Sequence, residues 1–562
     1  MHPRSFAVLA VVLLNCLLAF AASISSNHAR NADSGLGVRQ WMEGIENWMN
    51  LTSSGAGIIP LGFSKDTESY FALISVGDIS FQVALDTASS DLWLVSSACS
   101  SSPCAAVPRY QLGYHSPTFV PVNNNQTAFN ISFLDGTGAS GFVARESVEV
   151  ANLTVASQAF GLVTSSNVTL DDDISGVLGL GFPRLSSISS SVVNATPFFA
   201  TLAQQGQLNY PLFGMSLTRN ASGSLTLGAV DASVVTNRSL IEWNEVVPFA
   251  PFGSESNTSS YLQWVIRLSG ISVNGTELNP IPTYPDATSN TSLALLDVGS
   301  PGLYGPFQDV ARIYSLIEGS RLVDTDGQWV VPCDASEVMN FTFGKQNFTL
   351  QPTDYLIGPA SGDPDLCLSW PVALPPSSDG IDWQLGGVFL RTVYSIFSLG
   401  IDAKEPPMIG LYPLNNASAP IESPEAVASF FSSASATVAT TLPNFVLSTP
   451  SFTTPPYAFN TSVTAPPGLI VSSGLATSTY SPVLNTRHLD ATALPTLSPS
   501  PTLFTLIQTN SAGQIVTSVS TALAPSVTLG QPPGWTSGAA RVHIGAHVIA
   551  SSIVAVSLYL FI

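Results

Sequence analysis

Two short stretches of this chain carry the same pattern, Ala84-Leu85-Asp86-Thr87-Ala88-Ser89 and Leu295-Leu296-Asp297-Val298-Gly299-Ser300. In each, an apolar run ends in an aspartate, small residues make a turn, and a serine stands three positions beyond the acid. Each is followed at similar remove by an element ending in Leu-Gly, Val177-Leu178-Gly179 in the first case and Gln384-Leu385-Gly386 in the second. One Asp-x-x-Ser means little, because both residue types populate turns through local hydrogen bonds. Two in the same register, each behind an apolar run, indicate an internal duplication and so two related halves.

Between about Tyr70 and Pro413 the chain consists of short apolar or alternating runs separated by Gly, Asn and Asp, for example Phe71–Val76, Phe81–Leu85, Phe142–Val150, Leu225–Leu227 and Val265–Val273. That spacing predicts a mainly β architecture. Only Thr196–Gln205 and Phe307–Leu316 read as helices. Seventeen basic against 37 acidic residues, with three lysines in all, exclude a phosphate-binding surface, so no nucleic-acid partner is expected. The six histidines show no metal-ligand spacing, and neither a metal nor any other cofactor is expected.

The two ends carry sorting signals. Residues 1–22 combine His2 and Arg4 with an apolar run and small residues, the form of a secretory signal peptide; the alternative, a spanning anchor, needs a longer run. Residues 23–64 read as a leader, with Arg30 and Arg39 its only basic residues besides His28. Fifteen Asn-x-Ser/Thr sequons agree with passage through a secretory route. Residues 416–536 are rich in Ser, Thr, Pro and Ala and almost free of charge, which predicts an extended, O-glycosylated stalk. At the far end, Ser537-Gly538-Ala539, a short spacer and the apolar run Val548–Ile562 fit a GPI-attachment signal over 537–562, with Ser537 the candidate site; a transmembrane helix is the alternative. Outside the signal lie Cys99, Cys104, Cys333 and Cys367, for which three connectivities exist, the local pairing being the simplest.

Taken together, Asp86-Thr87-Ala88-Ser89-Ser90-Asp91-Leu92-Trp93 and Leu296-Asp297-Val298-Gly299-Ser300 with Gly305-Pro306 resemble the two active-site segments of a pepsin-family aspartic peptidase, of the fungal GPI-anchored, yapsin-like type. Tyr114–Phe119 and Trp383–Arg391 fall where that family has similar runs, and the likeness spans roughly 65–415. The resemblance implies a bilobal fold with a central cleft, an N-terminal lobe over 65–245 and a C-terminal lobe over 246–415, and disulfides Cys99–Cys104 and Cys333–Cys367. It implies Asp86 and Asp297 as the catalytic pair, since carboxylates held together share one proton, and the ionised member then activates water while the other polarises a peptide carbonyl. Thr87, Trp93, Val298 and Gly299 would support the pair, and Ser89 and Ser300 would hold the outer carboxylate oxygens, simple turn capping being the alternative role for both serines. Phe133, Asp135, Gly136, Thr137 and Gly138 would form a flap over the cleft. Gly136-x-Gly138-x-x-Gly141 is formally a dinucleotide fingerprint, but the alternating strand that follows rules out the helix such a site needs.

The chain departs from the family at three points. Ala88 stands where glycine is usual, Val298 where a hydroxyl residue is usual, and Phe133 where the flap has tyrosine. The expected function is therefore an acid-active aspartic endopeptidase at the cell surface, a monomer acting on protein or peptide substrates and held to the membrane by its lipid anchor. The rival from another class is a catalytically silent wall glycoprotein that uses the same cleft to bind peptide or polysaccharide.

Overall fold

A computed structural model describes residues 55–535, apart from 249–260, 458–474 and several shorter internal stretches. The expected signal peptide, most of the expected leader, Ser537 and the expected attachment signal lie outside the described residues. The described chain is mainly β, with strands throughout and a few short helices, among them Phe198–Gln204 and Phe307–Tyr314.

The duplication seen in the sequence is a duplication of topology. In the first half, strand Ile79–Asp86 runs parallel to Ile174–Gly179, with Asp86 opposite Gly179, and Ile174–Gly179 in turn pairs antiparallel with Leu92–Val95. In the second, Ser292–Leu296 runs parallel to Trp383–Leu385, which pairs antiparallel with Leu303–Pro306. Each aspartate thus leaves its strand into a loop that crosses the end of the parallel neighbour. The repeated glycines are the condition for that crossing. A β-carbon on Gly179 would sit 2.4 Å from the Ser90 carbonyl carbon, and one on Gly386 would sit 2.2 Å from the Ser300 oxygen.

The two halves are joined at their base. Strands Leu212–Ser216 and Gly223–Leu227 of the first half pair through Val393–Ser398 with Met408–Pro413 of the second, and Glu242–Glu245, where the first half ends, closes the sheet against Met408–Pro413. Trp264 sits in the core next to this sheet, edge-on to Phe213 and Phe397, and its indole N–H donates to the Leu180 carbonyl at 3.0 Å. Leu296 N in turn donates to the Trp264 carbonyl at 3.0 Å, so the strand carrying Asp297 is tied to the base of the molecule. Disulfides join Cys99 to Cys104 beyond Leu92–Val95 and Cys333 to Cys367 on strand Asp363–Ser369.

Two segments expected to lie outside the lobes have described residues packed in the folded body. Strand Gly57–Phe63, within the expected leader, lies between Gly223–Leu227 and Tyr70–Val76, with its side chains largely buried. The segment 416–536 is likewise no free stalk over its described residues. Helix Pro424–Ala434 buries Val427 and Phe431, and Leu475, Tyr480, Leu484, Leu494 and Leu497 are buried further on. Thr496–Leu497 adds in parallel to Val230–Asp231, and Gly530 N donates to the Ser80 carbonyl at 3.0 Å. The segment lacks periodicity because its apolar residues are spent singly, each in a notch of the folded body.

Candidate active site

Asp86 ends its strand and Asp297 follows directly on its own, and both acids are buried, at 8% and 5% exposure. Their loops meet at Gly299. A β-carbon there would lie 2.7 Å from Asp86 Oδ1 and 3.2 Å from Asp297 Oδ1, and the two carboxyls are in hydrogen-bond contact with each other. The backbone supports each acid alike: Ala88 N donates to Asp86 Oδ1 at 2.8 Å and Gly299 N to Asp297 Oδ1 at 2.9 Å. Burial, reinforced by the facing Asp86 charge, pushes the Asp297 carboxyl up to about 7.

Thr87 ties the loops together. Its hydroxyl donates to the Leu296 carbonyl at 2.9 Å and accepts from Val298 N at 3.0 Å, so one buried side chain bonds both sides of the opposite loop. Val298, its counterpart, is equally buried but has only methyl groups to offer.

The hairpin Ala128–Ser132 and Gly138–Val150 closes through a compact tip. Phe133 N donates to the Thr137 carbonyl at 2.9 Å, and Asp135 Oδ1 accepts from Thr137 N and Oγ1 at 2.8 and 2.7 Å. Gly136 takes the left-handed backbone (φ +80°) that this turn needs, with open space around it. Gly138 N is held by Asn167 Oδ1 at 2.7 Å. Phe133 packs on the apolar cluster that includes Trp93, whose fully buried indole N–H finds no acceptor among the described residues.

Comparison with known proteins agrees with this geometry. Residues 69–404 match the family model described as eukaryotic aspartyl protease. The chain is 33% identical over 335 residues to an aspartic protease of Phaffia rhodozyma, covering 58% of this chain and 73% of that protein. It is 32% identical over 349 residues to pepsin A of Sus scrofa, covering 60% and 80% respectively, and 30% identical over 345 residues to cathepsin E of Mus musculus, covering 59% and 78%. The chain belongs to the eukaryotic aspartyl protease family.

Within this aspartyl protease framework the two halves treat their acids differently. The Ser89 hydroxyl donates to the outer oxygen of Asp86, Oδ2. The hydroxyl of Ser300, expected to do the same for Asp297, makes no hydrogen bond to that carboxyl among the described residues and lies near the Tyr304 hydroxyl. The outer oxygen of Asp297 accepts from Gln384 Nε2 at 2.7 Å. Nothing in the run Trp383–Arg391 by itself marks Gln384 as a site residue. The signal was available in the duplication itself: aligning the halves puts Gln384 where the first half has Val177, and Tyr304 where it has Trp93. Two apolar or indole positions have become an amide and a phenol.

Proposed function

We propose that this family member is a secreted aspartic endopeptidase, held at the cell surface by a GPI anchor, that hydrolyses peptide bonds in acid with water activated between Asp86 and Asp297. The observation that carries the reading is the contact of the two buried carboxyls across Gly299. The ionised member takes a proton from water as the water oxygen bonds to the peptide carbonyl carbon. The protonated member donates to the carbonyl oxygen, giving a neutral tetrahedral diol. The carboxyl that took the water proton then gives it to the leaving nitrogen while a diol hydroxyl passes its proton to the other carboxylate, so that the C–N bond breaks, the new carboxyl group forms and the pair is again singly protonated. Phe133 to Gly138 would close over the substrate and exclude water. Secretion is supported by the signal-like first residues and by sequon asparagines such as Asn130, Asn152, Asn194, Asn274 and Asn347, all exposed. Surface attachment is supported by the small residues at Ser537 and the terminal apolar run.

The test is incubation of the purified ectodomain with a denatured protein near pH 4, a value at which an unperturbed carboxyl is about half ionised. Cleavage is expected, together with its loss in Asp86→Asn and Asp297→Asn and its block by a transition-state peptide inhibitor. A second reading, a silent peptide- or polysaccharide-binding glycoprotein, is favoured by the methyls of Val298 and the unpartnered Trp93 N–H beside a flap without a hydroxyl. Intact substrate at every acidic pH, with peptide binding retained, would establish that alternative.

A further inference from the structure

The outer oxygens of the two acids face different chemical groups. A serine hydroxyl both donates and accepts, so Ser89 can follow Asp86 through either protonation state. A carboxamide nitrogen only donates. Gln384 Nε2, 2.7 Å from Asp297 Oδ2, therefore requires that oxygen to remain a bare acceptor. Any proton on Asp297 is left to Oδ1, the oxygen that takes Gly299 N and lies on the side of Asp86.

The surroundings are built for this arrangement. Gln384 is opposite Leu295 in the parallel ladder and opposite Tyr304 in the antiparallel one, so its backbone is fixed on both sides. Ser300 makes no side-chain hydrogen bond to Asp297, which leaves the Gln384 amide as the side-chain donor at that oxygen among the described residues. The titratable groups facing Asp297 are Asp86, from the loop of the first half, and Tyr304, from strand Leu303–Pro306. Glu68 acts on Tyr304 from further away. Gln384 itself carries no charge, so its effect is a directed hydrogen bond and not a field. The first half has Val177 in the same position and no such bond to offer.

We propose that Gln384 is a positioning residue that reserves the outer oxygen of Asp297 as an acceptor and so keeps the shared proton of the pair on the inner, Asp86-facing oxygen. The proposal rests on the endopeptidase reading for its kinetic consequence but not for its structural one. Gln384→Met keeps the length of the side chain and removes the donor. Without it the ionised form of Asp297 loses a charge-assisted bond, its proton is held to higher pH, and the outer oxygen becomes a second place for that proton.

The experiment compares full pH profiles of peptide cleavage, together with thermal melts from pH 3 to pH 8, a range spanning ordinary carboxyl titration, for wild type and Gln384→Met. The alkaline limb of kcat/KM is expected to move up by about one pH unit, the size of one such bond. Over the same series kcat should fall about tenfold with KM changed less than about twofold, because the interaction acts on the reacting pair and not on substrate binding. The melting temperature of the variant should fall more steeply with rising pH than that of wild type. Superimposable profiles and melts would overturn the proposal, as would a loss expressed in KM alone. Should wild type cleave nothing, the endopeptidase reading fails, and the melts still decide whether Gln384 is coupled to Asp297. Should the methionine variant not fold, Gln384→Glu carries the test: its carboxyl donates while protonated and repels Asp297 once ionised above about pH 4. Activity relative to wild type, or stability where there is no activity, should then decline as pH rises through that value. A constant ratio would sink the idea.

Discussion

Thr87 and Val298 occupy equivalent places in the two loops, and the difference between them is one hydroxyl. Thr87 uses its hydroxyl to satisfy both Leu296 O and Val298 N. Thr87→Val keeps the shape and leaves two buried backbone groups unpaired, which should cost roughly 2–4 kcal/mol by denaturant unfolding. Val298→Thr is the opposite experiment. By the internal duplication its new hydroxyl would face the Leu85 carbonyl, and a gain of up to about 1 kcal/mol is expected. A loss of stability on that substitution would mean no acceptor is within reach. Asp297 gives the pH dependence. Its folded carboxyl is raised from 3.8 to about 7, so between those values the native state holds a proton that the unfolded chain has released. This contribution is fully present below the unfolded value and is lost as pH rises through the folded one. The melting temperature should therefore decline across that window, and Asp297→Asn should flatten the decline.

At the scale of elements, the acids and the turns after them are visible in the sequence because a strand end, an acid and a tight turn each leave a local mark, here written twice. The strand Ile79–Asp86, the parallel partner ending at Gly179 and their second-half counterparts follow from the same marks. Which donor serves which carboxylate oxygen leaves no such mark. Ser89 and Ser300 are the same residue at the same offset, yet the first bonds its aspartate while the second leaves that place to the Gln384 amide. The amide comes from the cross-strand pair Tyr304 and Gln384, and only comparison of the two halves draws attention to it. Among these elements the hairpin tip is the one most open to change. Its Phe133 packs on the Trp93 cluster while the indole N–H goes unpaired. Phe133→Tyr offers an acceptor from the same scaffold, and kcat/KM for a peptide substrate should rise about fivefold, the equivalent of one net hydrogen bond. An unchanged kcat/KM with unchanged stability would show that the hydroxyl does not reach the indole.

For the whole molecule, the question is why a charge-poor Ser/Thr/Pro segment is wrapped on the lobes instead of standing clear of them. Composition predicts an extended chain because such a sequence cannot bury enough apolar surface against itself. It can bury that surface against a preformed body. Tyr480 packs near Tyr210 and donates to the Ala203 carbonyl at 3.1 Å, and Leu484 enters the main core. The firmest tie is polar: buried Glu405 accepts from the Tyr210 hydroxyl and from the backbone N–H of Val483 and Leu484, at 3.0 and 2.7 Å. Burial holds the Glu405 carboxyl above its usual range, and these donors oppose that rise. Glu405→Gln leaves one oxygen for three donors and turns an amide nitrogen toward the others. Because the clasp is far in sequence from the aspartates and touches neither, its loss should open the wrap without touching the chemistry. Hydrogen exchange at Val483 and Leu484 should accelerate by about tenfold or more, the loss of bonds to a charged group at roughly 1.5–3 kcal/mol, and nicking within 475–497 should precede any loss of the disulfide-bonded lobes. Peptide cleavage per folded molecule should be unchanged. Equal protection in the variant and the parent would mean that the segment is held by its apolar residues alone, and truncation after 415 would then be the change that lowers the melting temperature.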